Sequence, residues 1–158
     1  MSREAITSAA GYSGTPLATK LGIKAGATVA VLDEPAGFRD WLVPLPDGVR
    51  LRRSLGRAAD VVIVFATDRR KLQRRIEHAA AIVFPSGAVW AGWPKRASGV
   101  ATDITEDVVR EIALPMGLVD NKVCAISDVW SGLRLVWRRD QRGGPASMRA
   151  SRSGTSAR

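Results

Sequence analysis

Five consecutive apolar residues, Val61–Phe65 (VVIVF), constrain this chain more than any other feature. A strand with no polar position offers no face to water, so it belongs in a sheet covered on both sides. The residues that follow supply part of the cover. Thr67 and Asp68 are suited to cap a helix in which Leu72, Ile76, Ala79, Ala80 and Val83 recur at helical spacing, giving one buried stripe. Pro85-Ser86-Gly87 breaks the chain, and Ala88–Trp93 (AVWAGW) returns it as a second apolar strand. A helix between two such strands implies that they run parallel, joined by a right-handed crossover. Residues 60–99 thus predict a strand, a helix, a parallel strand, and a polar loop leaving the carboxyl end of the second strand.

The flanks extend this unit in both directions. Thr15-Pro16-Leu17 through Gly22 spells a short helix, with Thr15 as cap, Pro16 in the first turn and Gly22 as a left-handed stop. Thr28–Asp33 (TVAVLD) is a short apolar run that reads as a buried strand. Arg39–Leu42 fits a single helical turn. Val49–Leu55 (VRLRRSL) alternates apolar and basic residues, so Val49 and Leu51 face inward on a short exposed strand. Downstream, Asp103 reads as an N-cap, with Glu106 completing a capping box before Val108, Val109 and Ile112. Val119–Ile126 and Leu133–Trp137 read as an antiparallel hairpin, with Val119, Asn121 and Val123 sharing a face.

The expected architecture is a small Rossmann-like α/β fold, a mostly parallel sheet with helices on both faces and a C-terminal antiparallel hairpin. Residues 1–11 read as a flexible lead-in and 12–139 as a single α/β domain. Residues 140–158, where Gly, Ser, Ala and Arg dominate, read as a disordered basic tail.

Charge narrows the partners. The net +9 is unevenly spread: residues 50–75 carry nine Lys or Arg against Asp60 and Asp68, and residues 138–158 carry six Arg against Asp140. The rest of the chain is mildly acidic. Basic clusters attract phosphates, nucleic acid or acidic surfaces, and they also serve simply as solvated faces. The single cysteine, Cys124, has no partner for an internal disulfide and suits a reducing cytoplasm. The opening MSREAITSAAGYSG lacks a signal-peptide core, and no run reaches the roughly 18 apolar residues of a membrane helix.

In an open α/β sheet, ligands sit beyond the carboxyl ends of the strands. Three segments converge there in the expected fold: Asp33–Phe38, Thr67–Arg70 and Trp93–Ser98. The candidate ligand-binding residues are Asp33, Gly37 and Phe38 from the first, Thr67, Arg69 and Arg70 from the second, and Trp93, Lys95 and Ser98 from the third. Two arginines at a helix N-terminus are mildly unfavourable, by roughly 0.3–1 kcal/mol each, unless an anion uses both them and the free amides. Pro94 aims Lys95 at the strand edge; a solvated lysine over an indole is the plainer alternative. Glu34-Pro35-Ala36-Gly37-Phe38 is no glycine-rich phosphate cradle, having one glycine and a proline that removes an amide. His78, the sole histidine, lies far from any Ser or Cys elbow, and no Cys/His spacing suggests zinc. The residues name no cofactor and no catalytic group.

Several motifs carry a family resemblance. Gly11-Tyr12-Ser13-Gly14-Thr15-Pro16-Leu17, Pro35-Ala36-Gly37-Phe38, Trp93-Pro94-Lys95, Asp103-Ile104-Thr105-Glu106-Asp107-Val108-Val109-Arg110 and Trp130-Ser131-Gly132 resemble an uncharacterised bacterial family, the domain of unknown function 3052, over residues 11–138. That resemblance implies a relationship and no activity. At the level of fold, KLGIKAGATVAVLD is similar to the entry of class I S-adenosylmethionine-dependent methyltransferases, and DVVIVFAT, PSGAVWAGWPK and the hairpin to their later half. Those enzymes carry several glycines after the first strand, which this chain lacks. Three readings follow: a module binding a small anionic or nucleotide-like ligand at the strand edge, a nucleic-acid or acidic-partner binder using residues 50–75 and the tail, and a methyltransferase-like enzyme.

Overall fold

All five residues of Val61–Phe65, strand β3, are buried. The computed structural model describes residues 14–143; the expected lead-in and residues 144–158 of the expected tail lie outside the described residues. β3 is paired in parallel with β1 (Thr28–Leu32) on one side and with β4 (Ala88–Pro94) on the other, so that Val62 stands beside Ala30 and Val89. A short edge strand, β2 (Arg50–Arg52), runs parallel to β1. On the far side β6 (Trp130–Trp137) pairs antiparallel with β4 and with the outer strand β5 (Leu118–Ala125). The order across the six-stranded sheet is β2-β1-β3-β4-β6-β5.

The helices are α1 (Leu17–Lys20), α2 (Phe38–Trp41), α3 (Arg69–Val83), α4 (Glu106–Ala113) and the turn α5 (Arg139–Arg142). Because strand side chains alternate, β1, β3 and β4 feed two cores. Ala30, Leu32, Val62, Val64, Val89 and Ala91 pack against Leu72, Ile76 and Val83 of α3 and Val109 and Ile112 of α4. Val29, Val31, Ile63, Phe65 and Trp90 pack against Leu17 and Leu21 around α1 and Phe38 of α2. Each Val, Leu, Ile or Phe side chain among them contributes about 1.5–3 kcal/mol when fully removed from water.

Two indoles fix the layers to the sheet. Trp90 of β4 is fully buried and donates its ring N–H to the Leu21 carbonyl at the end of α1, at 2.9 Å. Trp137 of β6 donates to the Ala80 carbonyl of α3, also at 2.9 Å. Gly132 on β6 makes room for the first of these: a Cβ there would stand 2.8 Å from Ile126 Cδ1 and 3.1 Å from Trp90 Cε3.

Several local expectations change: the N-cap position of α1 is Pro16 and not Thr15, and the strand expected over 49–55 shortens to Arg50–Arg52. Asp103 does not cap α4; Thr105 does, its hydroxyl accepting from the Val108 amide at 3.2 Å. Asp103 is drawn off by a contact distant in sequence, described below. In β5 the pairing register shifts between Asp120 and Lys122, so the strict alternation expected for Val119, Asn121 and Val123 is lost and Val123 is exposed. Arg110 ties α4 to β5, bonding Asp120 and Asp107 at 3.2 Å each and also Glu106.

Trp90→Phe keeps most of the apolar volume but leaves the buried Leu21 carbonyl without its donor. Loss of that bond is expected to cost about 1–3 kcal/mol, read as a lower urea midpoint with an unchanged slope.

Candidate functional site

The carboxyl edge of the parallel strands is built from four loops, and most of their charges are turned onto the protein itself. Asp33, ending β1, has φ +59°, a left-handed conformation that an aspartate tolerates better than most residues. Its carboxylate meets Lys71 and Arg75 of α3 at 3.5 and 3.3 Å. Glu34 meets Arg39 at 3.1 Å and Arg53 at 3.8 Å. Gly37, at φ +86°, starts α2, as only a glycine does without strain. Phe38 is fully buried, edge-to-face with Phe65 at 5.0 Å and with Trp41 at 5.9 Å. It belongs to the core beneath the loop.

At the start of α3 the anion is already in place. Asp68 accepts from the Lys71 amide at 2.9 Å, and Asp103 accepts from the Arg69 amide at 2.7 Å. Negative charge at this end of a helix is stabilising. The Arg69 guanidinium turns to Glu111 at 3.0 Å. The Thr67 carbonyl accepts from the Thr102 hydroxyl at 2.7 Å and from the Asp103 amide at 3.4 Å, which pins the segment before α4 against the end of β3. Arg70 is exposed.

The open volume lies one strand further on. Beyond the ends of β4 and β6 a cleft of about 540 Å³ is bounded by Trp93, Lys95, Arg96, Thr102, Thr105 and Ser131. That size is within the range of small-molecule sites. Trp93 is nearly buried and forms a floor. The Lys95 amide donates to the Val129 carbonyl at 2.7 Å, which fixes where its side chain leaves the backbone. Ser98 closes the short helical turn Arg96–Ser98, donating to the Lys95 carbonyl at 2.7 Å and accepting from the Val100 amide at 3.2 Å. Thr102 and Thr105 spend their hydroxyls on backbone, Thr102 on the Thr67 carbonyl and the Ile104 amide and Thr105 on the Val108 amide. Among the described residues, no carboxylate forms an ion pair with Lys95 or Arg96.

Trp93, Lys95 and Ser98 therefore meet at one cleft, Thr67 and Arg69 lie at the α3 start beside it, and Asp33, Gly37 and Phe38 lie across the edge at the β1 end. Arg96, Thr102, Thr105 and Ser131 were not singled out in the sequence. Arg96 carried a signal, a second cation directly after Lys95. The role of Asp103 carried none, because its partner is 34 residues away.

Elsewhere the basic region 50–75 is partly engaged in structure. Arg52 donates to the carbonyls of Ser54, Leu55 and Ala58, and Arg50 to the Thr28 hydroxyl at 3.1 Å. Burial pushes the Cys124 thiol up, against the lowering pull of Lys122 and Lys20. Such a thiol is a poor nucleophile at neutral pH. Trp130 anchors the hairpin turn on Phe65, edge-to-face at 5.1 Å. Among the described residues no group of three or more His, Cys, Asp or Glu is placed to hold a metal ion. No described helix is long and apolar enough to cross a membrane.

No family model matches the chain, and no curated protein matches it in sequence. Solved structures do match in fold. A SAM dependent methyltransferase from Aquifex aeolicus aligns with a TM-score of 0.51 at 15% identity, over 74% of this chain and 85% of that one. The O-methyltransferase NcsB1 of neocarzinostatin biosynthesis, in complex with S-adenosylmethionine and 2-hydroxy-5-methyl naphthoic acid, aligns with a TM-score of 0.56 at 14% identity, over 80% and 53%. Magnesium protoporphyrin IX methyltransferase (ChlM) from Synechocystis PCC 6803 with bound SAH aligns with a TM-score of 0.51 at 12% identity, over 77% and 78%. The chain thus has the Rossmann-like fold of S-adenosylmethionine-dependent methyltransferases.

Two outcomes follow from this geometry. Asp103→Ala should lower stability by about 1 kcal/mol, as loss of a helix cap does, measured by chemical denaturation. Cys124 should react with iodoacetamide at pH 8 more slowly in the folded protein than in urea; equal rates would contradict a thiol held up by burial.

Proposed function

We propose that this chain is a Rossmann-like module that binds a small anionic or nucleotide-like ligand in the cleft beyond β4, without group-transfer chemistry of the usual methyltransferase kind. One observation carries the reading: a cleft of about 540 Å³ opens at the strand edge with an indole floor and two cations, Lys95 and Arg96, that form no ion pair among the described residues, while Glu106 on the same lining is paired with Arg110. A planar group lies on Trp93 while its acidic end meets Lys95 and Arg96. Asp33, Gly37, Phe38, Thr67, Arg69 and Ser98 act as the frame, holding the neighbouring loops in place, and Arg70 adds an exposed cation at the same edge. The relation to the domain of unknown function 3052, and a cytoplasmic setting suited to a lone thiol, belong to the same proposal and rest on sequence motifs and on Cys124.

A second reading, a methyltransferase-like enzyme, is favoured by structural neighbours that hold S-adenosylmethionine or SAH. Against it stands the loop after β1, where Asp33 and Glu34 are engaged with Lys71, Arg75, Arg39 and Arg53 and only Gly37 is a glycine. Fold likeness alone does not assign the activity.

Titration calorimetry with nucleoside phosphates, S-adenosylmethionine and SAH tests both. At least one nucleoside phosphate should bind, and Lys95→Ala should weaken it about tenfold, the loss expected for one charged hydrogen bond. If nothing in this set binds, the cleft reading is wrong. S-adenosylmethionine binding that survives Lys95→Ala and is lost on Asp33→Ala would move the site to the β1 end and favour the enzyme.

A further inference from the structure

The opposite edge of the sheet holds a separate recess. At the amino ends of β1, β3 and β4, a space of about 310 Å³ is lined by Gly22, Lys24, Gly26, Asp60, Gly87 and Arg134. Arg134 is unusual among the arginines of this protein. It stands on β6 opposite Trp90 of β4 and Lys122 of β5, half-buried on the sheet face that carries Trp90. Burial pushes its pKa down, so its surroundings oppose the charge they enclose.

The guanidinium has little to offset that opposition. Its one hydrogen bond among the described residues runs from Nη1 to the neutral Asn121 Oδ1, at 3.2 Å. Arg39, Arg69, Arg75 and Arg110 each meet a carboxylate; Arg134 forms no ion pair among the described residues. Asp60, the one carboxylate on the lining, accepts from the Thr28 amide at 2.9 Å and pairs with neither Arg134 nor Lys24. Lys122, the cross-strand neighbour of Arg134, turns its ammonium to the Lys20 carbonyl at 2.9 Å and so supplies no counter-charge.

The walls let a small ion come close. Gly22 is at φ +77°, and a Cβ there would come to 4.0 Å from Arg134 Nε, so the guanidinium lies directly under a bare backbone. Gly87 is obligatory for another reason, since a Cβ would stand 2.6 Å from the Asp60 carbonyl oxygen. Bare glycine walls beside a fork of free N–H donors suit a compact oxyanion better than an apolar group.

We propose that this recess binds a phosphate-type oxyanion, free or as the terminal group of a phosphomonoester, between the Arg134 guanidinium and the Lys24 ammonium. The site is independent of the cleft beyond β4, which lies at the other end of the strands.

Heteronuclear NMR of the full chain reads it locally. Inorganic phosphate added at constant ionic strength, with chloride as the balancing ion, should shift the Gly22 amide and Arg134 Nε–H resonances saturably. Arg134→Lys keeps the charge but loses the fork, and should raise the midpoint of the Gly22 shift about tenfold. Lys24→Gln should raise it too, and Lys95→Ala should leave it unchanged. Glycerol phosphate tested alongside separates the sources: tighter binding than phosphate marks an ester, equal binding the free ion. The proposal is overturned if the shift fails to saturate, if chloride alone reproduces it, if Arg134→Lys leaves the midpoint unmoved, or if Lys95→Ala abolishes it.

Discussion

A strand without polar side chains has to be roofed twice, and in this protein two neighbouring strands make that demand together. β3 and β4 are buried along their whole length, so neither the α3–α4 layer nor the α1–α2 layer is dispensable. The short helices α1 and α2 would be marginal on their own, since four residues cannot sustain a helix in water. They persist because Leu17, Leu21 and Phe38 complete a core, and because the Trp90 indole holds the carbonyl at which α1 ends. Trp137 performs the matching task against α3 on the other face.

The same economy governs the functional edge. Charges that look like ligand contacts in the chain are used to join loops to helices: Asp33 and Glu34 reach cations on α3, on α2 and past β2, and Asp103 takes the α3 amide that an outside anion would otherwise use. What stays uncommitted is displaced toward β4 and β6, where Lys95 and Arg96 overlook the Trp93 floor. The sheet is Rossmann-like, while the loop after its first strand is built for internal pairing.

The strand–helix–strand core was legible in the sequence because its signal is local: an apolar run, a 3.6-residue stripe, and a turn marked by Pro85 and Gly87. The hairpin was legible as well, apart from the shift near Asn121, which depends on how β5 and β6 register rather than on either alone. Of the edge, the three segments could be placed from topology, but not which groups remain free within them. Asp103 fitted a capping box by spacing, and only the folded chain brings the Arg69 amide within 2.7 Å of it. Phe38 stood beside Gly37 in a loop-like stretch, and its burial follows from the Phe65 ring waiting beneath it. Partnering between distant residues is a property of the assembled edge.

The two outer strands bear on how this protein behaves among its own copies. An open sheet invites growth, because each outer strand presents unpaired amides and carbonyls to any extended segment nearby. Here β2 is three residues long and begins and ends with Arg50 and Arg52, whose side chains fold back onto Thr28 and onto the carbonyls of Ser54 and Ala58. At the other border the β5 register shift interrupts the regular spacing that a docking strand would need, and Lys122 sits immediately beside it. Among the described residues the sheet ends at six strands, with a short basic strand at one border and an irregular one at the other.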